Sequence, residues 1–267
     1  MTGLSIVIVS YNAKADLVRC LLSLHEAPPL ETHDIVVVDN ASTDGSAAAA
    51  RQWPAVRVLE SPANVGFAAA NNMGIRATNG RTLLLLNSDT IVGPGAIDGL
   101  LAALERHTDV AAVGPRLVDA DGRVELSFGT MLTPLSEWRQ QRLMRALARR
   151  NPRVTARLEA LTREQQYPDW VSGACLLVRR ADAEAVGLLD ERFFMYTEDV
   201  DFCAALRARG RRILYTPAVQ VVHLRGRSAA SAPAATRAAY RRSHLAFYQK
   251  HAPLIAPLLR LYHLARG

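Results

Sequence analysis

Cysteine is scarce in this chain of 267 residues: Cys20, Cys175 and Cys203 are odd in number, widely spaced and without a metal-type pair. That usage excludes a disulfide scaffold and fits reduced thiols in a cytosolic protein. Long apolar runs are absent as well. No stretch approaches the roughly 20 residues a spanning helix needs. The first residues enter a β-branched run at once, leaving no basic region followed by an apolar core as in a signal peptide. A cytoplasmic location is therefore expected, with any membrane contact peripheral, at the inner face. The glycine-rich nucleotide signatures are missing too. No G-x-G-x-x-G follows the first strand-like run and no G-x-x-x-x-G-K-[ST] occurs, which argues against Rossmann dinucleotide binding and P-loop chemistry. Nor is there a serine or cysteine nucleophile motif.

What is present is ordinary globular material, with 49% hydrophobic and 21% charged residues. The length suits one domain, or one domain with an appendage. A net charge of +7 and a pI near 9.8 suit anionic partners such as phosphates or an acidic membrane face. A solvated arginine-rich surface is the plainer account of the same charge.

The chain is organised around Arg81 to Val92. Four consecutive leucines, Leu83 to Leu86, read as a strand covered on both faces, and Asp89 follows at its carboxyl end. Ligands of open α/β sheets bind at that edge. Upstream, Leu4 to Val9, Asp34 to Val38 and Val56 to Leu59 read as further strands alternating with helices at Asp16 to Leu24, after Asp44–Ser46, and from Phe67 towards Asn79–Gly80. Asp44 or Ser46 is a candidate cap and Gly80 a candidate helix stop. Gly93–Pro94 opens a helix running to His107. The alternation predicts a mostly parallel sheet flanked by helices. Tyr11 and Asn12, Asp39, Asn64 and Asp89 each follow a different strand, so they converge on one sheet edge.

In the second half, Val110 to Pro115 reads as a strand and Asp121–Gly122 as a hairpin turn. Ser136 to Gln166 is an arginine-rich helical insertion broken at Asn151–Pro152, either a solvated basic face or an acceptor- or membrane-facing element. Asp169 to Arg179 reads as one strand with Gly173 inside it. Thr197-Glu198-Asp199-Val200-Asp201 puts three carboxylates at a helix start, with Thr197 a candidate cap. Dipole compensation accounts for one or two of these acids. The preceding Phe193-Phe194-Met195-Tyr196 run adds a dry wall able to raise a carboxylate pKa. Arg212 to Tyr215 and Ala218 to Val222 read as two short strands. His223 follows them and opens a basic, glycine-containing loop suited to a metal ligand or phosphate clamp, with Arg225 or Arg227 available to a diphosphate. The chain closes with a helix from Arg237 to His251 and an apolar segment from Pro253 to Leu264, expected to pack on the core, with insertion into a membrane interface as the alternative.

Four ordered motifs carry a resemblance: Ser5–Asn12 (SIVIVSYN), Val36–Ser46 (VVVDNASTDGS), Asn64–Asn72 (NVGFAAANN) and Leu84–Thr90 (LLLNSDT). Together they resemble family 2 glycosyltransferases of the GT-A fold, in the branch of bacterial rhamnosyltransferases, over roughly Ser5 to His251. The resemblance implies an α/β GT-A fold: a Rossmann-like, mostly parallel central sheet, a small antiparallel acceptor-side sheet and C-terminal helices. It divides the chain into a catalytic domain at 1–230, with a nucleotide-sugar half at 1–115, an acceptor half at 116–230 and an insertion at about 136–166, followed by a helical extension at 231–267. It implies nucleotide-sugar contacts at Tyr11, Asn12, Asp39, Asn64, Asn71 and Asp89, and acceptor contacts at Trp170, Gly173 and Glu198. Asp199 is the implied base, and Asp89 with His223 the implied ligands of Mg²⁺ or Mn²⁺. Asn87 replaces the first aspartate of the family's D-x-D motif.

The implied reaction is inverting transfer of a sugar, best matched by L-rhamnose from dTDP-rhamnose with UDP-sugars also open, to a glycan or lipid-linked acceptor in surface polysaccharide or glycolipid synthesis. No nucleic acid partner is expected, and a homodimer is left open. Two rivals remain. A sugar-1-phosphate nucleotidyltransferase would carry a glycine-rich basic loop where Ser10-Tyr11-Asn12 stands. A degenerate, inactive binding subunit is motivated by Asn87.

Overall fold

A computed structural model describes residues 3–149, 151–224 and 233–265. Strands β1 (Leu4–Ser10), β2 (His33–Asp39), β3 (Val56–Glu60) and β4 (Thr82–Asn87) alternate with helices α1 (Lys14–Glu26), α2 (Ser46–Ala50) and α3 (Phe67–Arg76). Next come β5 (Thr90–Val92), α4 (Ala96–Arg106), β6 (Val110–Val118) and β7 (Phe128–Gly129). Helices α5 (Pro134–Ala148) and α6 (Pro152–Leu161) form the insertion, before β8 (Trp170–Val171), β9 (Cys175–Arg179), α7 (Arg180–Ala185), α8 (Glu198–Ala208) and β10 (Arg212–His223). Two helices end the chain, α9 (Pro233–His251) and α10 (Ala256–Ala265).

The main sheet has eight strands in the order β3-β2-β1-β4-β9-β6-β10-β5. Its first four are mutually parallel, β9 runs against both β4 and β6, and β6 and β10 are parallel again. Strand order reverses between β1 and β4, the point at which open α/β sheets gather ligands. The leucine run shows why this sheet is covered on both sides. Leu84 and Leu86 join the core beneath α1 and α4, whereas Leu83 and Leu85 join the core beneath α3 and α8. All four are buried, and each contributes about 1.5–3 kcal/mol by leaving water.

Several expected details shift. Gly80 does not stop α3, which ends at Arg76; a side chain there would meet the Ser5 amide nitrogen at 2.5 Å, so the glycine serves close packing. The α3 carboxyl end is instead held by Arg180, whose guanidinium donates to the Ile75 and Gly80 carbonyls and to Thr78. Helix α4 starts after a left-handed Gly95, leaving Pro94 outside it. The stretch from Asp169 to Arg179 divides into β8 and β9, which belong to different sheets, with Gly173 in the break. Arg212 to His223 is one long strand whose register shifts between Thr216 and Gln220, not two strands. The hairpin at Asp121–Gly122 forms as expected, with Val118 bridged to Val124 and Gly122 at φ +76°.

Candidate active site

The parallel strands deliver their polar ends to one edge. After β2, Asn40 accepts from the Val65 amide and donates to Asn64 Oδ1 at 2.9 Å, tying this strand end to the loop before α3. After β1, Asn12 sits at φ +48°; its Oδ1 accepts from the Thr43 amide at 2.8 Å and its amide donates to Ser42. Asp44 accepts from the Lys14 and Ser46 amides, so it closes the start of α1 as well as flanking α2, a dual role its position before an alanine run did not reveal. These bonds preorganise the edge before any ligand arrives. Three buried oxygens there have no hydrogen-bond partner: Ser10 Oγ and Asp39 Oδ1, on paired residues of β1 and β2, and Asn87 Oδ1 at the end of β4. Such orphan acceptors are costly unless a ligand completes them.

A cleft of about 500 Å³ opens at this edge. From the first half of the chain it takes Tyr11, Asn64, Asn87 and Asp89, and from the second half Gly173, Glu198, Asp199 and His223. The two acids at the centre of the sequence reading thus face one cavity.

Its first wall is built at the end of β4. The Leu224 amide donates to the Asp89 carbonyl at 2.8 Å, locking the end of β10 beside it. His223 Nε2 lies 3.2 Å from Asp89 Oδ1, and His223 Nδ1 lies 3.2 Å from Glu125 Oε2. Burial disfavours the charged ring, yet the hydrogen bonds to Asp89 and Glu125 outweigh it and push the His223 pKa up to about 9. A positive charge is therefore strongly favoured between these carboxylates. Glu125 lies in an unremarkable stretch after the hairpin, and no signal in the sequence singled it out. Arg225 and Arg227 lie outside the described residues.

The opposite wall depends on strained backbone. Tyr196 and Thr197 are both left-handed, at φ +70° and +64°, an uncommon pair for residues with Cβ atoms. Thr197 does not cap α8 with its side chain, contrary to expectation; its Oγ1 is buried without a partner. The double turn presents Glu198 and Asp199 to the cleft. Asp199 Oδ2 accepts from the Gly173 amide at 2.9 Å and Oδ1 from the Val200 amide at 2.8 Å. Gly173 is small for this reason: a Cβ there would lie 3.3 Å from Asp199 Cβ. Burial raises the Asp199 pKa while the backbone donors pull it back. Burial and the neighbouring Asp199 charge raise Glu198 well above the ordinary range, and its Oε2 is buried without a hydrogen-bond partner. Of this pair, Asp199 is the better hydrogen-bonded carboxylate, and Glu198 is the one pushed further towards its protonated form. Asp201 points away and is held by Lys250 and His251 of α9.

The halves are clamped together by Gly66. It sits at φ +88°, and a Cβ there would meet the Phe194 carbonyl at 2.5 Å, the carbonyl that accepts from the Phe67 amide.

Four expected contacts lie outside the cleft lining, among them Asp39, which is buried at the end of β2 with Oδ2 accepting from the Ser42 amide. Asn71 is buried inside α3, donating back to the Phe67 carbonyl. Trp170 belongs to the two-stranded sheet, with its indole donating to the Thr130 carbonyl and its ring against Gly129. Asn12 braces the edge without lining the cleft. Asn40, Glu125 and Tyr196 are the additions that the structure supplies.

A mostly parallel sheet flanked by helices, with a switch-point cleft and a small antiparallel sheet beside it, is the GT-A fold, and solved structures share it. The mannosyltransferase PcManGT from Pyrobaculum calidifontis, solved with GDP-Man and Mn²⁺, superposes at TM-score 0.66 and 19% identity over 97% of this chain and 68% of its own. GalNAc-T7 with UDP, GalNAc and Mn²⁺ superposes at TM-score 0.61 over 84% of this chain and 44% of its own. The sequence profile of glycosyl transferase family 2 matches residues 5–184, and this chain belongs to that family and is a glycosyltransferase. The N-acetylglucosaminyl-diphospho-decaprenol L-rhamnosyltransferase of Mycobacterium tuberculosis is 35% identical over 257 residues, spanning 91% of this chain and 83% of that protein. The low-salt glycan biosynthesis hexosyltransferase Agl10 of Haloferax volcanii is 26% identical over 84% of this chain.

Proposed function

We propose that this enzyme transfers L-rhamnose from dTDP-L-rhamnose, with inversion, to a hydroxyl of a lipid-diphosphate-linked acetamido sugar in cell-surface polysaccharide synthesis. The observation that carries the reading is one cleft holding Asp89 and His223 on one wall and Glu198 and Asp199 on the other, in a chain 35% identical to a rhamnosyltransferase with such an acceptor.

The nucleotide lies along the strand edge, where Asp39 Oδ1 and Ser10 Oγ await donors and acceptors from base and ribose. The diphosphate reaches Asp89. The donor set there suits Mg²⁺ or Mn²⁺: a carboxylate and an imidazole, the latter oriented by Glu125 on its other nitrogen. Asp89 and His223 would hold the ion, which would supply charge neutralisation for the departing diphosphate. Asp199 accepts the acceptor's hydroxyl proton as that oxygen bonds to the anomeric carbon and the sugar–phosphate bond breaks. Glu198, holding its proton, donates a hydrogen bond to the acceptor sugar. No covalent enzyme intermediate is required. The lipid-linked acceptor brings the protein to the inner membrane face as a peripheral enzyme; among the described residues no helix is long and apolar enough to cross a membrane.

The test is nucleotide release from a panel of dTDP- and UDP-sugars, with a farnesyl-diphosphate-linked N-acetylglucosamine acceptor and Mn²⁺, and NMR of the product. Preferred turnover of dTDP-L-rhamnose with inverted anomeric configuration is expected. Preferred turnover of a UDP-sugar, or retention, contradicts the reading.

A further inference from the structure

Beside the catalytic cleft lies a second cavity of about 450 Å³, and Tyr196 lines both. Its other walls come from α9 and α10, with Arg237, Tyr240 and Arg241 from the first and Tyr262 and His263 from the second. Gln141 of α5 closes one side, and among the described lining residues none is acidic. Aromatic rings connect the two spaces without a gap. Tyr196 meets Tyr240 edge-on at 5.9 Å, Tyr240 stacks on His244 at 5.4 Å, and His244 meets His263 at 5.4 Å.

Arg237 and Arg241 bring two guanidinium groups to the lining, and among the described residues the one carboxylate against it, Glu137, is paired with His244 Nε2 behind the ring. Arginine pairs suit phosphate oxygens because their planar donors match that geometry. The rim on the α10 side is apolar. Leu258, 68% exposed, lies one turn before Tyr262 on the same helix face, and Leu254 and Leu261 are 92% and 63% exposed.

We propose that this second cavity is the acceptor's diphosphate site: Arg237 and Arg241 hold the phosphates of a polyprenyl-diphosphate-linked sugar, its sugar passes Tyr196 into the cleft, and its chain leaves over Leu258. The proposal rests on the lipid-linked acceptor reading above and adds which residues recognise it. It gives the α9–α10 pair a part in substrate choice. No bond is made or broken here; the site orders the acceptor so that its hydroxyl meets Asp199.

The test uses the full-length protein and two acceptors with the same sugar, farnesyl-diphospho-N-acetylglucosamine and octyl N-acetylglucosaminide, which lacks the diphosphate. Wild type should prefer the first in kcat/KM, and Arg237→Ala should reduce that preference at least about tenfold, mainly through KM, as expected for a lost charge-assisted contact. Arg237→Lys should recover part of it. An unchanged preference in Arg237→Ala and in Arg241→Ala overturns the proposal. So does an equal loss with both acceptors.

A donor-free arm separates this proposal from the transfer reading. Farnesyl diphosphate titrated into the protein should bind wild type and bind Arg237→Ala at least about tenfold more weakly. If that holds while wild type transfers no rhamnose, the donor reading fails and the anion site stands; if transfer occurs and both variants bind like wild type, only this proposal fails. Phosphatidylglycerol vesicle sedimentation covers the remaining source of phosphate. Vesicle binding lost in Arg237→Ala with acceptor KM unchanged assigns the arginine to bulk membrane and overturns the proposal.

Discussion

The two walls of the cleft are built differently. On the strand-edge wall, most polar groups pair with one another, Asn40 with Asn64, Asn12 with Thr43, Asp39 Oδ2 with Ser42 and Asp44 with Lys14, while Ser10 Oγ, Asp39 Oδ1 and Asn87 Oδ1 are buried without a partner. On the wall before α8, the backbone is left-handed twice in succession, Thr197 Oγ1 and Glu198 Oε2 lack partners, and two neighbouring carboxylates share a dry environment. The first wall is rigid and made for binding. The second stores strain in two successive left-handed residues and sets two carboxyl groups side by side in a dry environment, the usual condition of groups that must change protonation during a reaction. Substitutions on the two walls should therefore fail in different ways.

The largest expected effect comes from the strained wall. Asp199→Asn should lower kcat by about 10²–10⁴-fold, the usual worth of a positioned general base, and leave nucleotide binding near wild type. A variant with near-normal kcat would place the base elsewhere. In wild type, kcat/KM should rise as Asp199 loses its proton, with the acid limb above the 3.8 of an ordinary aspartate because burial raises this carboxyl. Asp89→Ala acts on the other wall. Loss of Mn²⁺-dependent donor binding together with several kcal/mol of transition-state stabilisation is expected from calorimetry and kinetics. Retained Mn²⁺-dependent binding would show that the diphosphate lies away from Asp89.

Smaller effects probe how the walls are joined. Gly66→Ala places a Cβ against the Phe194 carbonyl at a positive φ, and should destabilise the fold by about 1–3 kcal/mol in urea unfolding. Thr197→Gly relieves strain, so unfolding should show a gain of about 1 kcal/mol while kcat falls because Glu198 and Asp199 are less firmly aimed. Unchanged stability would mean that the turn carries no strain. Glu198→Gln tests the dry pair by pH. The native Glu198 pKa lies above the unfolded value near 4.5, so the native state binds more protons and wild-type stability falls as pH rises from there through the native pKa. The Gln variant should show a flatter slope across that window and greater stability above it.

The same contrast governs how much could be read from sequence. Strands β1, β2 and β4 announce themselves by unbroken β-branched or leucine runs, and the residues that follow them fall on one edge by topology alone. The α/β sheet and the grouping of Tyr11, Asn64 and Asp89 were legible for that reason. Asp199 and His223 were legible through motif resemblance, whereas their setting was not. Glu125 reaches His223 from 98 residues away, a pairing that no local pattern encodes. Gly173 read as a strand interior because the flanking Val171 and Ala174 to Val178 are apolar, and only tertiary structure divides them between two sheets. Thr197 read as a cap because threonine before acids usually is one, and the left-handed backbone overrode that preference. Trp170 and Asn71 are polar-capable residues whose donors the fold consumes internally.

The C-terminal helices divide in a similar way. Phe247, Tyr248 and Ala256 pack on the core as expected, while Leu254, Leu258 and Leu261 stay exposed. One apolar segment thus serves both the core and an outer face, which composition alone does not distinguish.

The central claim is that a leaving group at Asp89 and an incoming alcohol at Asp199 share one unobstructed space. A crystal structure with dTDP-L-rhamnose, Mn²⁺ and octyl N-acetylglucosaminide, determined with the Asp199→Asn variant to halt turnover, tests it most directly. The expected density has the diphosphate at Asp89 and His223, the rhamnose ring in the cleft and an acceptor hydroxyl within hydrogen-bond distance of residue 199. Diphosphate bound away from Asp89, or an acceptor whose hydroxyls all lie beyond reach of residue 199, would contradict it.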